Sequence, residues 1–298
     1  MKNLKKMSNR SLSPLRYPGG KSKLAPFIAH TLCLNGLENP VYTEPFAGGA
    51  GIALKLLEEG KVESIILNDF DPGIYSFWHS VFFDTERLIE AISKTKISLK
   101  ERERQKKILF KSGNTTKYSF ELGFAAFFLN RVNVSGIIKG GAIGGIKQTG
   151  KFKVDCRFGK PALIAKILKL SEFKNRVQLF NLDANKFIEE LAKGAYGRKD
   201  NLFVFLDPPY YKQGKNLYCS FFNEDDHLKF ASAVRKELND LHWILTYDNE
   251  PTIFELYKDF DPKNFNIHYS ANAKMTATEL MFHSSKTKIE SFDNLILH

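Results

Sequence analysis

The chain has 298 residues, of which 43% are hydrophobic and 26% charged, and its formal net charge is +11 with a pI near 9.3. That length can bury a full α/β core and carry an additional module, and the positive balance points to an anionic partner. Three widely spaced cysteines (Cys33, Cys156, Cys219) without a CxxC, and the lack of any 18-residue apolar run, argue against a disulfide framework, a zinc site, export and membrane spanning. A reducing cytoplasm is the expected location.

In chain order, residues 41–47 and 62–68 read as short strands, the first running into a glycine-rich turn and a helix over Ile52–Glu58. Strands are expected again at Val177–Leu182 and Leu202–Leu206, with a helix from Ala184 to Ala192 between them. A helix over Glu224–Leu241 leads to a strand at Trp243–Tyr247. Phe265–Tyr269 and Glu279–His283 read as a closing antiparallel hairpin. Strands alternating with helices imply a parallel, doubly wound α/β sheet.

The stretch from about 81 to 170 breaks that rhythm. It begins helical and lysine-rich, then passes through six glycines, and reads as a helical part followed by a loop or hairpin. It holds 19 Lys+Arg against 7 Asp+Glu, whereas the rest of the chain holds 25 against 26. The whole positive excess therefore sits in one internal segment, the pattern of a docking surface for phosphates.

Three places carry chemistry. Glu44-Pro45-Phe46-Ala47-Gly48-Gly49-Ala50-Gly51 lies at a strand-to-helix turn, where glycines let the backbone approach a ligand and the helix N-terminus favours an anionic group. Asp69, at the end of the next strand, is placed to accept hydrogen bonds from both ribose hydroxyls of an adenosine cofactor. Upstream, Gly19-Gly20-Lys21-Ser22 lacks the leading glycine of a phosphate-binding P-loop, since position 15 is Leu. It remains a turn that brings Lys21 towards an anionic group.

The third place is Asp207-Pro208-Pro209-Tyr210, at the mouth of an apolar strand. An adenine amine is a poor nucleophile because its lone pair is delocalised into the ring. The Asp207 carboxylate can accept one amine hydrogen and the Pro208 carbonyl the other, turning the lone pair towards an electrophilic methyl. Pro209 holds that carbonyl rigid, and Tyr210 offers a face for stacking. Attack on cytosine C5 would need a cysteine nucleophile, and none of the three cysteines is suitably placed. His227 and His268 read as structural or solvent-facing.

These motifs, in this order, resemble the DNA adenine methylase (Dam-like) family of S-adenosylmethionine-dependent methyltransferases. Tyr17-Pro18-Gly19-Gly20-Lys21 is similar to its N-terminal motif, Glu44–Gly49 to its cofactor loop, Leu129-Asn130-Arg131 to a segment facing DNA, and Asp207–Tyr210 to its catalytic motif. Glu279-Leu280-Met281 resembles a C-terminal strand of the family, and the one visible departure is Ala50 where the family has glycine. The resemblance implies a Rossmann-like methyltransferase sheet, mostly parallel with a C-terminal antiparallel hairpin, plus an inserted, mainly helical DNA-recognition domain. Residues 11–80 and 171–298 would form the catalytic domain, 81–170 the recognition insert, and 1–10 a basic, flexible N-terminus.

The resemblance further implies transfer of a methyl group from S-adenosyl-L-methionine to the N6 amine of an adenine flipped from duplex DNA. Asp207, Pro208, Pro209 and Tyr210 would be catalytic. The cofactor would meet Tyr17, Gly20, Lys21, Glu44, Pro45, Phe46, Gly48, Gly49, Asp69, Asp183 and Asp207, although Asp183 reads equally well as a helix N-cap. Asn130, Arg131, Lys139, Lys147 and Arg157 are candidates for DNA contacts, to phosphate or to base. A monomer without a resident metal is expected, in a restriction–modification, phage or epigenetic setting. Any cognate restriction endonuclease would be a separate chain. The open alternatives are an RNA adenine methyltransferase and an inactive DNA-binding module that keeps the fold.

Overall fold

The structure, a computed structural model, describes residues 11–16, 20–111, 117–212, 222–269 and 275–298. The N-terminal stretch 1–10, Tyr17, Cys219 and the His268 side chain lie outside the described residues. After a short 3-10 turn, helix α1 (Ala25–Leu34) leads to β1 (Val41–Glu44), α2 (Gly51–Glu58) and β2 (Ser64–Asn68). Helices α3 (Pro72–Phe83), α4 (Thr85–Lys94), α5 (Leu99–Lys111), α6 (Phe120–Val132) and α7 (Lys160–Ser171) follow. Then come β3 (Val177–Phe180), α8 (Ala184–Ala192), β4 (Leu202–Leu206), α9 (Glu224–Glu237), β5 (His242–Asp248), α10 (Pro251–Tyr257), β6 (Lys263–Tyr269) and β7 (Met275–His283).

The seven strands form one sheet in the order β3-β2-β1-β4-β5-β7-β6, parallel except for β7, which is antiparallel to both its neighbours. Leu202–Leu206 is buried at every position, as a central strand covered on both faces requires. The strand expected over 41–47 stops at Glu44: Pro45 has no N–H to give the ladder, and Gly48 turns the chain at φ +44°. One cluster of buried side chains draws on α1, α2, α3, α6 and α7, and a second on α8, α9 and α10.

Helix α6 belongs to the first cluster along nearly its whole length. Gly123 lets it lie against α3, since a β-carbon there would stand 2.6 Å from the Ser76 carbonyl carbon. Phe127 stacks on Phe77 with ring centres 5.1 Å apart. The boundary drawn at residue 81 from charge falls inside α3, and this packing is what carries the chain across it. After α6 the glycine-rich stretch forms turns, with one bridge from Asn133 to Ala142 where a hairpin was the alternative. Buried Asn133 donates to the carbonyls of Ile137 and Ile138, and its own side-chain oxygen receives Arg102 Nε at 2.7 Å.

Candidate active site

The strand order reverses direction between β1 and β4, so the loops after these two strands diverge and leave a crevice at their carboxyl ends. The glycine-rich turn follows β1 and Asp207 follows β4, so both candidate motifs open on it. An open hollow of about 540 Å³ lies at the opposite, amino-terminal ends of these strands, lined by Glu38, Glu63, Arg198 and Asp200, away from both motifs.

On the β1 side, buried Asn68 clips three strand ends together. It donates to the carbonyls of Pro45 and Leu182 and accepts from the Leu182 N–H. Asp69 receives the Gly48 N–H at 2.7 Å on one oxygen and the Asp71 N–H at 2.9 Å on the other. Burial, reinforced by the neighbouring Asp71 charge, pushes its carboxyl up to about 7. Each oxygen keeps a lone pair beyond its backbone bond, so the group can still accept from a diol. Ala50 stands in the left-handed region at φ 48°, the conformation that glycine takes without strain.

Glu44, expected at the cofactor, is 5% exposed, and one of its oxygens receives the Ala53 N–H and the Tyr42 hydroxyl, both at 3.1 Å. Burial pushes its carboxyl up to about 8, against those two hydrogen bonds. Pro45 is buried, and Phe46 packs edge-on to Phe222 and Phe230. The Gly48 carbonyl accepts from the Trp78 indole at 2.8 Å, Gly49 is half-buried and Gly20 is exposed. Asp183 is exposed and caps α8, accepting from the Asn185 and Lys186 N–H groups.

On the β4 side, Asp207 Oδ1 receives the buried Lys21 ammonium and the Thr246 hydroxyl, the latter at 3.1 Å. Lys21 also donates to Thr246 at 3.1 Å and pairs with Glu279 Oε2 at 3.1 Å. Tyr210 donates its hydroxyl to Glu279 Oε1 at 2.8 Å, and its ring centre lies 5.2 Å from the Lys21 ammonium. Burial pushes the Asp207 carboxyl up, Lys21 opposes that, and Glu279 adds to it. Among the described residues Oδ2 of Asp207 accepts no hydrogen bond. Pro208 is buried and Pro209 half-buried, so the chain after Asp207 is fixed as well as its side chain.

Thr246 and Glu279 were not among the site residues expected from sequence. Antiparallel β7 brings Glu279 level with Asp248 at the carboxyl end of β5, which places it over the clamp. His227 is buried against the Tyr247 hydroxyl at 2.6 Å, and burial takes its imidazole down to about 4, so it stands there neutral. Among the described residues no group of three or more His, Cys, Asp or Glu side chains could hold a metal ion, and no helix is long and apolar enough to cross a membrane.

The DNA candidates divide. Lys139 and Lys147 are exposed on the glycine-rich turns. Asn130 is fully buried and its amide is committed to backbone: it accepts the Arg16 N–H and donates to the carbonyls of Arg16 and Gly136. It acts on the Arg16 segment, with none of its surface open to solvent. Arg131 is half-buried, with Nε bonded to the Arg157 carbonyl at 2.7 Å and Nη1 to the Pro14 carbonyl at 3.2 Å. The Arg157 side chain itself is exposed.

A seven-stranded, mostly parallel sheet with an antiparallel seventh strand, and a carboxylate clamp at its switch point, define the chain as a methyltransferase of Rossmann-like fold. Residues 17–276 match the family of D12 class N6 adenine-specific DNA methyltransferases, and the chain belongs to that family. It is an adenine-specific DNA methyltransferase, and DNA is its substrate. It is 25% identical over 241 residues to the Type II methyltransferase M.MjaIII of Methanocaldococcus jannaschii, covering 74% of this chain and 78% of that one. The solved rRNA methyltransferase aviRa from Streptomyces viridochromogenes aligns over 95% of both chains, with a TM-score of 0.44 at 10% identity.

Proposed function

We propose that this chain takes a methyl group from S-adenosyl-L-methionine and places it on the N6 amine of an adenine flipped out of duplex DNA. The observation that carries the reading is the asymmetry of Asp207: one oxygen is locked by Lys21 and Thr246, and the other accepts no hydrogen bond among the described residues. A carboxylate held in this way can accept one amine hydrogen without reorganising, and the Pro208 carbonyl accepts the second. The nitrogen lone pair is then directed out of the ring plane. Lys21 opposes the upward push that burial gives the Asp207 carboxyl, and Tyr210, anchored by Glu279, presents a face to the base.

When bound, S-adenosyl-L-methionine would supply an electrophilic methyl, its sulfonium sulfur keeping the electron pair of the sulfur–carbon bond as a neutral thioether. The proton lost from N6 passes to Asp207 or to solvent. The residues on the β1 side suit such a group. Asp69 would take the ribose hydroxyls, and the turn through Gly48 and Gly49 would pass close beneath them. Gly20, Lys21, Glu44, Pro45 and Phe46 would complete that wall, with Asp183 at its edge; Tyr17, expected there too, lies outside the described residues.

The Type II designation of the M. jannaschii relative favours a restriction–modification setting, with any cognate endonuclease as a separate chain. Action as a monomer in the cytoplasm fits this reading. The test is incorporation of labelled methyl from S-adenosyl-L-methionine into duplex DNA and into structured RNA. The expected result is transfer to N6 of adenine in duplex only, lost by at least about 10²-fold in Asp207→Ala. Transfer to RNA instead, or equal signal from wild type and variant, would overturn it.

A further inference from the structure

Four cations from three distant segments gather beside the C-terminal end of α6: Arg16, Arg131, Arg157 and Lys166. None of them forms an ion pair among the described residues. The cluster is assembled deliberately by backbone contacts. Asn130 clasps the Arg16 backbone from both sides, and the Arg16 guanidinium donates to the Asn133 carbonyl at 3.2 Å. Gly136, at φ +79°, allows this approach, since a β-carbon there would lie 1.8 Å from the Arg16 carbonyl oxygen. Two backbone carbonyls fix the Arg131 guanidinium, and Lys166 reaches the carbonyls of Ser11 and Ser13.

Holding these charges together opposes folding. Burial and the charges of Arg16 and Arg157 bring Arg131 down to about 10, and burial and Arg157 lower Arg16, with Cys156 opposing in both cases; burial and Arg131 lower Lys166. Among the described residues, backbone carbonyls alone receive the side chains of Arg16, Arg131 and Lys166, so their charge is left for an outside anion. Arg157 is the clearest case: its side chain makes no hydrogen bond or ion pair among the described residues and lies only over the Phe152 ring, at 5.9 Å. A guanidinium that merely stapled the loops would be bonded to them.

The geometry points to a phosphodiester site: Arg16, Arg131, Arg157 and Lys166 together hold a backbone phosphate of the bound duplex, without reading a base. This rests on the DNA reading above. It also assigns Arg131 and Arg157 to phosphate, and adds Arg16 and Lys166, which sequence did not single out. Arg16 lies five residues before Lys21, so the phosphate would be gripped by the same N-terminal segment that holds Asp207.

Arg157→Ala suits the test, because no structural bond is lost with it. Binding of target and non-target duplexes is measured against salt, with Lys229→Ala on exposed α9 surface as the control. One lost phosphate contact should flatten the slope of log affinity against log salt by about 0.9, equally for both duplexes, and the control should leave it unchanged. Replacing single phosphates by uncharged methylphosphonates should reveal a position where neutralisation weakens wild type but not the variant. An unchanged slope, or a loss confined to the target duplex, would overturn the phosphate assignment while leaving the methyltransferase reading intact. Failure of wild type to bind any duplex would overturn both.

Discussion

The two charged regions of this molecule are built on opposite plans. At the carboxyl ends of β4 and β5, Lys21 sits between Asp207 and Glu279, and buried charges are matched to one another within the protein. At the end of α6, Arg16, Arg131, Arg157 and Lys166 pair with no carboxylate among the described residues; backbone carbonyls receive Arg16, Arg131 and Lys166, and the Arg157 side chain makes no hydrogen bond there. Like charges gathered together, three of them half-buried, raise the free energy of the folded state, so such a cluster persists where an external partner completes it. Matched charges hold a geometry; unmatched ones await a polyanion.

That contrast can be broken from either side. Glu279→Gln keeps an acceptor for Tyr210 but removes the second charge from Lys21. It should lower kcat by about 10²-fold through a misplaced Asp207, with DNA affinity unchanged. Because Glu279 raises the Asp207 pKa, the acidic limb of the kcat–pH profile should move to lower pH in this variant. An unaltered limb would mean that Glu279 has only a packing role. Gly136→Ala attacks the other region. Its new β-carbon must displace the Arg16 carbonyl, so chemical denaturation should show a loss of about 2–3 kcal/mol, and duplex binding should weaken as the cluster opens.

The smallest effect sharpens the comparison within the matched region, where Glu44 is buried without a cation. Its folded pKa of about 8 lies above the ordinary value of 4.5, so the folded state holds a proton that the unfolded chain releases. Stability from that proton is full below about pH 4.5 and is lost as pH rises to about 8. Glu44→Gln keeps the acceptor for Ala53 and Tyr42 and does not titrate. Urea unfolding at pH 5 and pH 8 should therefore show the variant gaining on wild type by at least about 1 kcal/mol. Parallel pH curves for the two proteins would mean that Glu44 is ionised in place.

Where chemistry is local, sequence was enough. Helix α8 runs from Ala184 to Ala192 and β4 from Leu202 to Leu206, both as apolar spacing and flanking residues imply, and Asp207 lies at the mouth of its strand. Helix α9 ends at Glu237, four residues short of the expected Leu241, and β1 ends early at Glu44, just before Pro45. Long-range partners were out of reach. That Asn130 serves the Arg16 backbone depends on a contact spanning 114 residues. That Glu279 reaches Lys21 depends on the register of β7 against β5, which the alternating pattern of one strand cannot state. Net charge located the basic segment but could not reveal which of its cations the fold leaves without a partner.

The antiparallel run of β7 has a consequence for the order in which the protein becomes competent. Glu279 lies 69 residues after Tyr210, so the strand that anchors Lys21 and Tyr210 is synthesised well after the loop that it serves. A nascent chain that has not yet released β7 carries Asp207 with Lys21 and Thr246 but without the Glu279 carboxylate that anchors Lys21 and Tyr210. Catalytic competence should therefore arrive late, when the closing hairpin docks, and a ribosome-bound intermediate should leave nearby DNA unmarked.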